Sequence, residues 1–195
     1  MSLTFDEASH TYRYDGTIVP SVTQIIEPMY DFRFVKPEHL EVARTLGSAV
    51  DKTIRLFEQD RLDEERTPER LKRYLAQWKK FKKENGFHDG VLGVPFLCSE
   101  YMYAGTPDIH GKIGADDHEI LLDFKTGDKY APHKLQTAGY LEALVRDGKL
   151  PKNTVRASLY LDEHGYNLDF HRDINDRAAF LSALTIYKWR QKNGI

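Results

Sequence analysis

A chain of 195 residues, 41 % apolar and 30 % charged, suits one globular domain that can bury a proper core but is too short for a motor or a second catalytic module. The formal net charge of −2 announces no nucleic-acid partner, so any basic surface must be local, and no apolar stretch approaches the roughly 20 residues a membrane span needs. The lone Cys98 excludes an internal disulfide and a cysteine-built zinc or iron–sulfur site, while MSLTFDEASH lacks the basic start and apolar run of a secretory signal, so a cytoplasmic address is expected.

The first predicted elements are the two strands of a hairpin, Thr11–Tyr14 and Thr17–Val19, turning at Asp15-Gly16 and ended by Pro20. Pro37 then opens a helix in which Leu40, Ala43, Leu46, Val50, Ile54 and Phe57 recur at helical spacing. Thr67-Pro68-Glu69 starts a second helix with Leu71, Leu75, Trp78 and Phe81 as its inner stripe and Gly86 as its stop. Between Arg61 and Lys83 lies a concentration of basic residues partly offset by Asp63, Glu64, Glu65 and Glu69. It reads either as a solvated face with charge pairs or as a phosphate contact.

A strand-rich middle follows, roughly Phe96 to Tyr103, Asp108 to Ile113 and Glu119 to Lys125, as a meander with short turns. Pro132 opens a helix with Leu135, Ala138, Leu141, Leu144 and Val145 inward, closed by Gly148 and Pro151. Strands Val155–Leu161 and Tyr166–Phe170 and a last helix from about Asn175 to Lys192 complete the order, which implies a mixed α/β (α+β) sheet flanked by helices. Residues 1–195 are expected to form a single domain, with a hairpin unit at 1–30, two helices at 36–86 and the site-bearing core at 91–195.

The run Ile120-Leu121-Leu122 ends on Asp123-Phe124-Lys125. On a strand, residues two apart share a face, so Asp123 and Lys125 project together while Phe124 points into the core. If Asp108, at the start of the neighbouring strand, converges on Asp123, two carboxylates about 4 Å apart repel by roughly 4 kcal/mol at an effective dielectric near 20. Such a pair needs a proton or a cation, and hard ions such as Mg2+ or Mn2+ suit carboxylate and carbonyl oxygens. An ion held there acidifies water and stabilises charge on a phosphoryl oxygen, with Lys125 beside it, which points to phosphodiester hydrolysis. Taken alone, the segment also reads as a strand running into a turn with its charges in solvent.

Gly105-Thr106-Pro107-Asp108, then Asp123-Phe124-Lys125, then Gln136-Thr137-Ala138-Gly139-Tyr140, in that order on strand, strand and helix, resembles the PD-(D/E)XK nucleases, in particular the RecB-like and lambda-exonuclease-like branch. The resemblance runs from about Leu46 to Tyr140, and SHTYRYDGTIVPSVTQII is similar to the amino-terminal hairpin of phage-type members. It implies a restriction-endonuclease-like core and a DNA exonuclease of phage or recombination processing, using one or two Mg2+ or Mn2+ ions. DNA is the implied partner, a phage recombination protein a further one; lambda-type members can form rings, so an oligomer is compatible.

By the same resemblance Asp108 and Asp123 are metal ligands, the Phe124 carbonyl is a further ligand, and Lys125 orients water. Glu100 matches an acidic position beside the metals. Gln136 and Tyr140 match a motif that frames the site or contacts nucleic acid, and Arg44 and Ser48 are candidates for gripping a terminal phosphate. Where RecB-like members carry a metal-binding histidine four residues after a helical glycine, Gly47 is followed here by Asp51. That departure puts a second metal in doubt and keeps a catalytically silent nucleic-acid- or partner-binding domain as the alternative; an RNA nuclease is a third.

Other chemistries fit less well. No Gly-x-x-x-x-Gly-Lys loop or Gly-x-Ser-x-Gly elbow is present, and the lysine beside Asp123 has no part in glycoside hydrolysis. The eight histidines show no zinc-binding pair on one helix; His133, near the start of the Gln136 helix, is the one closest to the expected site.

Overall fold

The computed structural model describes residues 2–7, 9–31, 33 and 35–195. Met1 and Ala8, both inside the expected hairpin unit, lie outside the described residues, as do Phe32 and Phe34. The architecture is mixed α+β. An amino-terminal antiparallel sheet of β1 (Leu3–Asp6), β2 (Thr11–Tyr14) and β3 (Thr17–Val19) leads into a short helix α1 (Val22–Ile26) and the long helices α2 (Pro37–Glu58) and α3 (Glu69–Asn85). Then come β4 (His88–Leu92), the hairpin of β5 (Phe96–Cys98) and β6 (Tyr103–Gly105), β7 (Ile109–Ile113) and β8 (His118–Lys125). The chain ends with α4 (Pro132–Arg146), β9 (Val155–Leu161), β10 (Tyr166–Phe170) and α5 (Asn175–Asn193).

The central sheet has five strands in the order β10-β9-β8-β7-β4. The β8–β9 pair is parallel and the other pairs are antiparallel, because only the β8-to-β9 connection carries a crossover helix, α4. β8 lies in the middle, which explains its near-continuous apolar run. Ile120, Leu122 and Phe124 enter one core with Val50, Ile54, Trp78 and Phe81 of α2 and α3. Leu121 enters the other with Tyr140, Ala143 and Leu144 of α4 and Phe180 of α5.

Three expectations need correction. The single strand Phe96 to Tyr103 is a two-stranded hairpin, with Met102 at φ 43° in the turn between β5 and β6. The amino-terminal unit has three strands and a helix, since β1 pairs with β2 and Ser21 and Gln24 form a reciprocal cap that starts α1. The core sheet begins before residue 91, because β4 pairs with β7 from His88 onward, across a register shift between His88 and Val91. On α2, Val50 and Ile54 are buried as expected, but Ala43 is exposed.

The basic run resolves into pairs. Arg70 and Arg73 hold Glu163, Lys79 holds Glu64, Lys82 holds Glu58 and Lys72 holds Glu69, at 2.7–3.0 Å. Among the described residues no helix is long and apolar enough to cross a membrane.

Candidate active site

The carboxyl end of β8 brings the expected residues together. Asp123 and Lys125 share the face toward α4, and Lys125 Nζ lies 2.5 Å from Asp123 Oδ2 while also donating to Gln136 Oε1 at 3.0 Å. Gln136 Nε2 donates in turn to the Tyr140 hydroxyl at 3.0 Å, one helical turn along α4. Asp108, just before β7, arrives at the same end of the sheet, where its Oδ2 accepts the Phe124 N–H at 2.5 Å. The two carboxylates therefore approach from adjacent strands beside one ammonium group.

Two glycines make this convergence possible. A Cβ on Gly105 would lie 2.9 Å from the Tyr140 ring, and one on Gly139 would lie 2.7 Å from Phe180. A side chain at Gly105 would press on Tyr140 and Phe96, and one at Gly139 would press on Phe180 and part α5 from α4. Thr106, between Gly105 and Asp108, is held by the Tyr12 hydroxyl at 2.8 Å, so the amino-terminal sheet anchors the loop that presents Asp108.

From the other side, α2 contributes Asp51 and a residue that sequence reasoning missed, Arg55. Arg55 Nε donates to Asp51 Oδ2 at 2.9 Å, its two Nη groups donate to the carbonyls of Gly93 and Pro107 at 3.1 Å each, and Nη2 lies 3.7 Å from Asp108 Oδ1. The signal was available as the i,i+4 spacing of Asp51 and Arg55. Ser158 was also missed: facing Asp123 across the β8–β9 pair, it donates to Oδ2 at 3.5 Å.

Burial pushes all three aspartates above the usual carboxylate range. Asp108 rises to about 8, through burial first and then through Asp123 and Asp51. Asp123 rises through burial against the opposing pull of Lys125, and Asp51 through burial against Arg55. Burial raises the Tyr140 hydroxyl as well. His133 accepts or donates at 2.7 Å with the Tyr160 hydroxyl, and burial, then the Lys125 charge, pulls it down to about 3. It is a neutral wall of the site.

The remaining expected residues fall elsewhere. Glu100 is corrected from a strand position beside the metals to the turn between β5 and β6, where it pairs with Arg146 near the far end of α4. Arg146 lies ten residues beyond Gln136, about 15 Å along a helix. Gln136 and Tyr140, 8 % and 5 % exposed, frame the site from within. Arg44 and Ser48 are exposed on α2, at i and i+4 of the stripe that continues through Asp51 to Arg55. α2 passes close to the end of β8 there, since a Cβ on Gly47 would lie 3.4 Å from Thr126 Oγ1.

The donor set suits a hard divalent ion. Continuing the β7–β8 register past Ile109↔Leu122 sets Phe124 opposite Pro107. A strand residue's N–H and C=O point the same way, and the Phe124 N–H already points at Asp108. Pro107 has no N–H to give, so the ladder leaves the Phe124 carbonyl without a donor, next to both carboxylates. Among the described residues no three His, Cys, Asp or Glu side chains close into a cage. What is offered is two carboxylates and a carbonyl, the sparse oxygen set with which Mg2+ keeps several of its waters. Among the described residues Asp51, Asp108 and Asp123 face two cations, Arg55 and Lys125, and Glu7 adds a further negative charge near Asp51.

No model of a known protein family matches the sequence, and comparison with curated proteins returns no significant match.

Proposed function

We propose that the chain is a metal-dependent nuclease of the PD-(D/E)XK type, RecB-like or lambda-exonuclease-like, that hydrolyses DNA phosphodiester bonds as an exonuclease in phage or recombination processing. The observation that carries this reading is the meeting of Asp108, Asp123 and Lys125 at one sheet end, with Gln136 holding the lysine. Asp108, Asp123 and the Phe124 carbonyl would hold Mg2+ or Mn2+, which supplies acidified water and neutralises charge on the phosphoryl oxygen.

The protein's own groups do the rest. Lys125 spends two of its three N–H donors on Asp123 and Gln136, leaving one to orient water or meet a phosphoryl oxygen. Gln136 and Tyr140 fix that ammonium before substrate arrives, so no reorganisation is needed when negative charge develops. Ser158 and Lys125 orient Asp123 through Oδ2 and leave Oδ1 for a ligand.

The test is incubation of linear and circular DNA, single- and double-stranded, and of RNA, with Mg2+ or Mn2+, repeated with chelator and with Lys125→Ala. Nucleotide release from linear DNA, abolished by chelator and lowered about 100- to 1,000-fold in the variant, is the expected result. Cutting of circles would make the enzyme an endonuclease, and preference for RNA would change the substrate. A second reading, a nucleic-acid- or partner-binding domain that does not cut, is favoured by one observation: Asp51 is tied to Arg55. It wins if every substrate stays intact while wild type and variant both shift DNA in a gel.

A further inference from the structure

We infer that Arg55 fills the place of a second divalent cation, so that the site takes one ion; this rests on the metal-dependent reading above. The guanidinium stands between two carboxylates, 2.9 Å from Asp51 Oδ2 and 3.7 Å from Asp108 Oδ1. It is no mobile surface group. Its Nε donates to both oxygens of Asp51, at 3.1 and 2.9 Å, and its two Nη groups are pinned by the Gly93 and Pro107 carbonyls. The planar fork is matched at each of its three nitrogens, which a rotating lysine would not achieve.

Asp51 is thereby committed. An ion shared by Asp51 and Asp108 would sit against a fixed positive charge and would have to strip Arg55 from four acceptor atoms. The opposite side of Asp108 is different. There Asp123 offers Oδ1 and the Phe124 carbonyl has no ladder donor, while Lys125 pairs with Asp123 only through Oδ2, at 2.5 Å, and gives a second donor to Gln136. One ion fits on the Asp123 side; the Asp51 side already has its cation.

The test is a count of bound Mn2+ on the whole chain, by calorimetric titration and by the loss of free-ion electron paramagnetic resonance signal. Wild type is expected to take one ion, and Asp123→Asn to weaken it at least about tenfold. Arg55→Gln is expected to take two; Arg55→Lys, which keeps the charge, is expected to remain at one. Circular dichroism confirms that each variant is folded, and the wild-type count decides even if Arg55→Gln does not fold. Two ions in wild type, or one in folded Arg55→Gln, would overturn the assignment of Arg55 while leaving the nuclease reading standing. No binding to wild type at millimolar Mn2+ would overturn both.

Discussion

The two faces of β8 carry opposite kinds of residue. Toward α2 and α3, Ile120, Leu122 and Phe124 pack against Trp78 and Phe81, a wholly apolar surface in which the aromatic rings stand 5.1–5.5 Å apart. Toward α4, Leu121 is followed by Asp123 and Lys125, which meet Ser158, Gln136, Tyr140 and His133. One strand thus serves as a beam on one side and as a chemical platform on the other. Even-numbered positions set stability and odd-numbered positions toward its end set charge, so substitutions one residue apart should fail in different ways.

The largest expected effect is on the platform. On the proposed nuclease function, Lys125→Ala lowers DNA hydrolysis by about 100- to 1,000-fold at temperatures where the variant is folded, a loss beyond what the weaker pairing of buried Asp123 does to its melting midpoint, which initial rates and a melting curve report together. On the beam, Leu122→Ala does the reverse. It costs about 2–5 kcal/mol in urea unfolding, because the side chain is fully buried, yet at temperatures where it remains folded its turnover stays near wild type. If Leu122→Ala and Lys125→Ala lose activity and stability alike, the division between faces is wrong.

A pH titration sharpens the comparison further. An aspartic acid whose folded pKa exceeds its unfolded value of about 4 contributes stability that is present at low pH and lost as pH rises through the folded value. Asp108, pushed up to about 8, therefore makes the ion-free fold progressively weaker from about pH 4 to about pH 8 and no weaker beyond. His133 and His171, pulled down to about 3 and about 4 by burial, act in the opposite direction but only below about pH 6.5, where the unfolded imidazoles become charged. Between about pH 6.5 and 8, above the histidine range, melting midpoints should fall in wild type and fall less in Asp108→Asn, where Asp123 and Asp51 still act in the same direction. An equal fall in both would contradict the origin assigned to it. The smallest effect is expected at Glu100→Gln, which sits in the β5–β6 turn and should leave turnover unchanged.

Legibility in the sequence followed regularity. The alternation across Asp123, Phe124 and Lys125 gave the face of each side chain before any coordinates, and the long helices announced themselves by spacing and by Pro37, Pro132 and Gly86. What escaped was irregular or brief. β4 carries Asp89 at φ 50° and Gly90 inside a shifted register, so its pattern does not alternate. The β5–β6 turn hides in an apolar run, which is why the expectation sets Glu100 on a strand. α1 is only five residues long, although its Ser-x-x-Gln cap stood in plain view. Arg55 escaped for another reason: its partners Gly93 and Pro107 are distant in sequence, and only the folded chain shows four acceptors around one guanidinium.

On the proposed function, β7 and β8 share an oxygen site for a hard cation next to the Lys125 ammonium. Anomalous scattering from a crystal equilibrated with Mn2+ tests it most directly. One peak bounded by Asp108, Asp123 and the Phe124 carbonyl is expected, with Arg55 still on Asp51. A peak bound only elsewhere on the chain, or none at this sheet end in a crystal saturated with the ion, would contradict it.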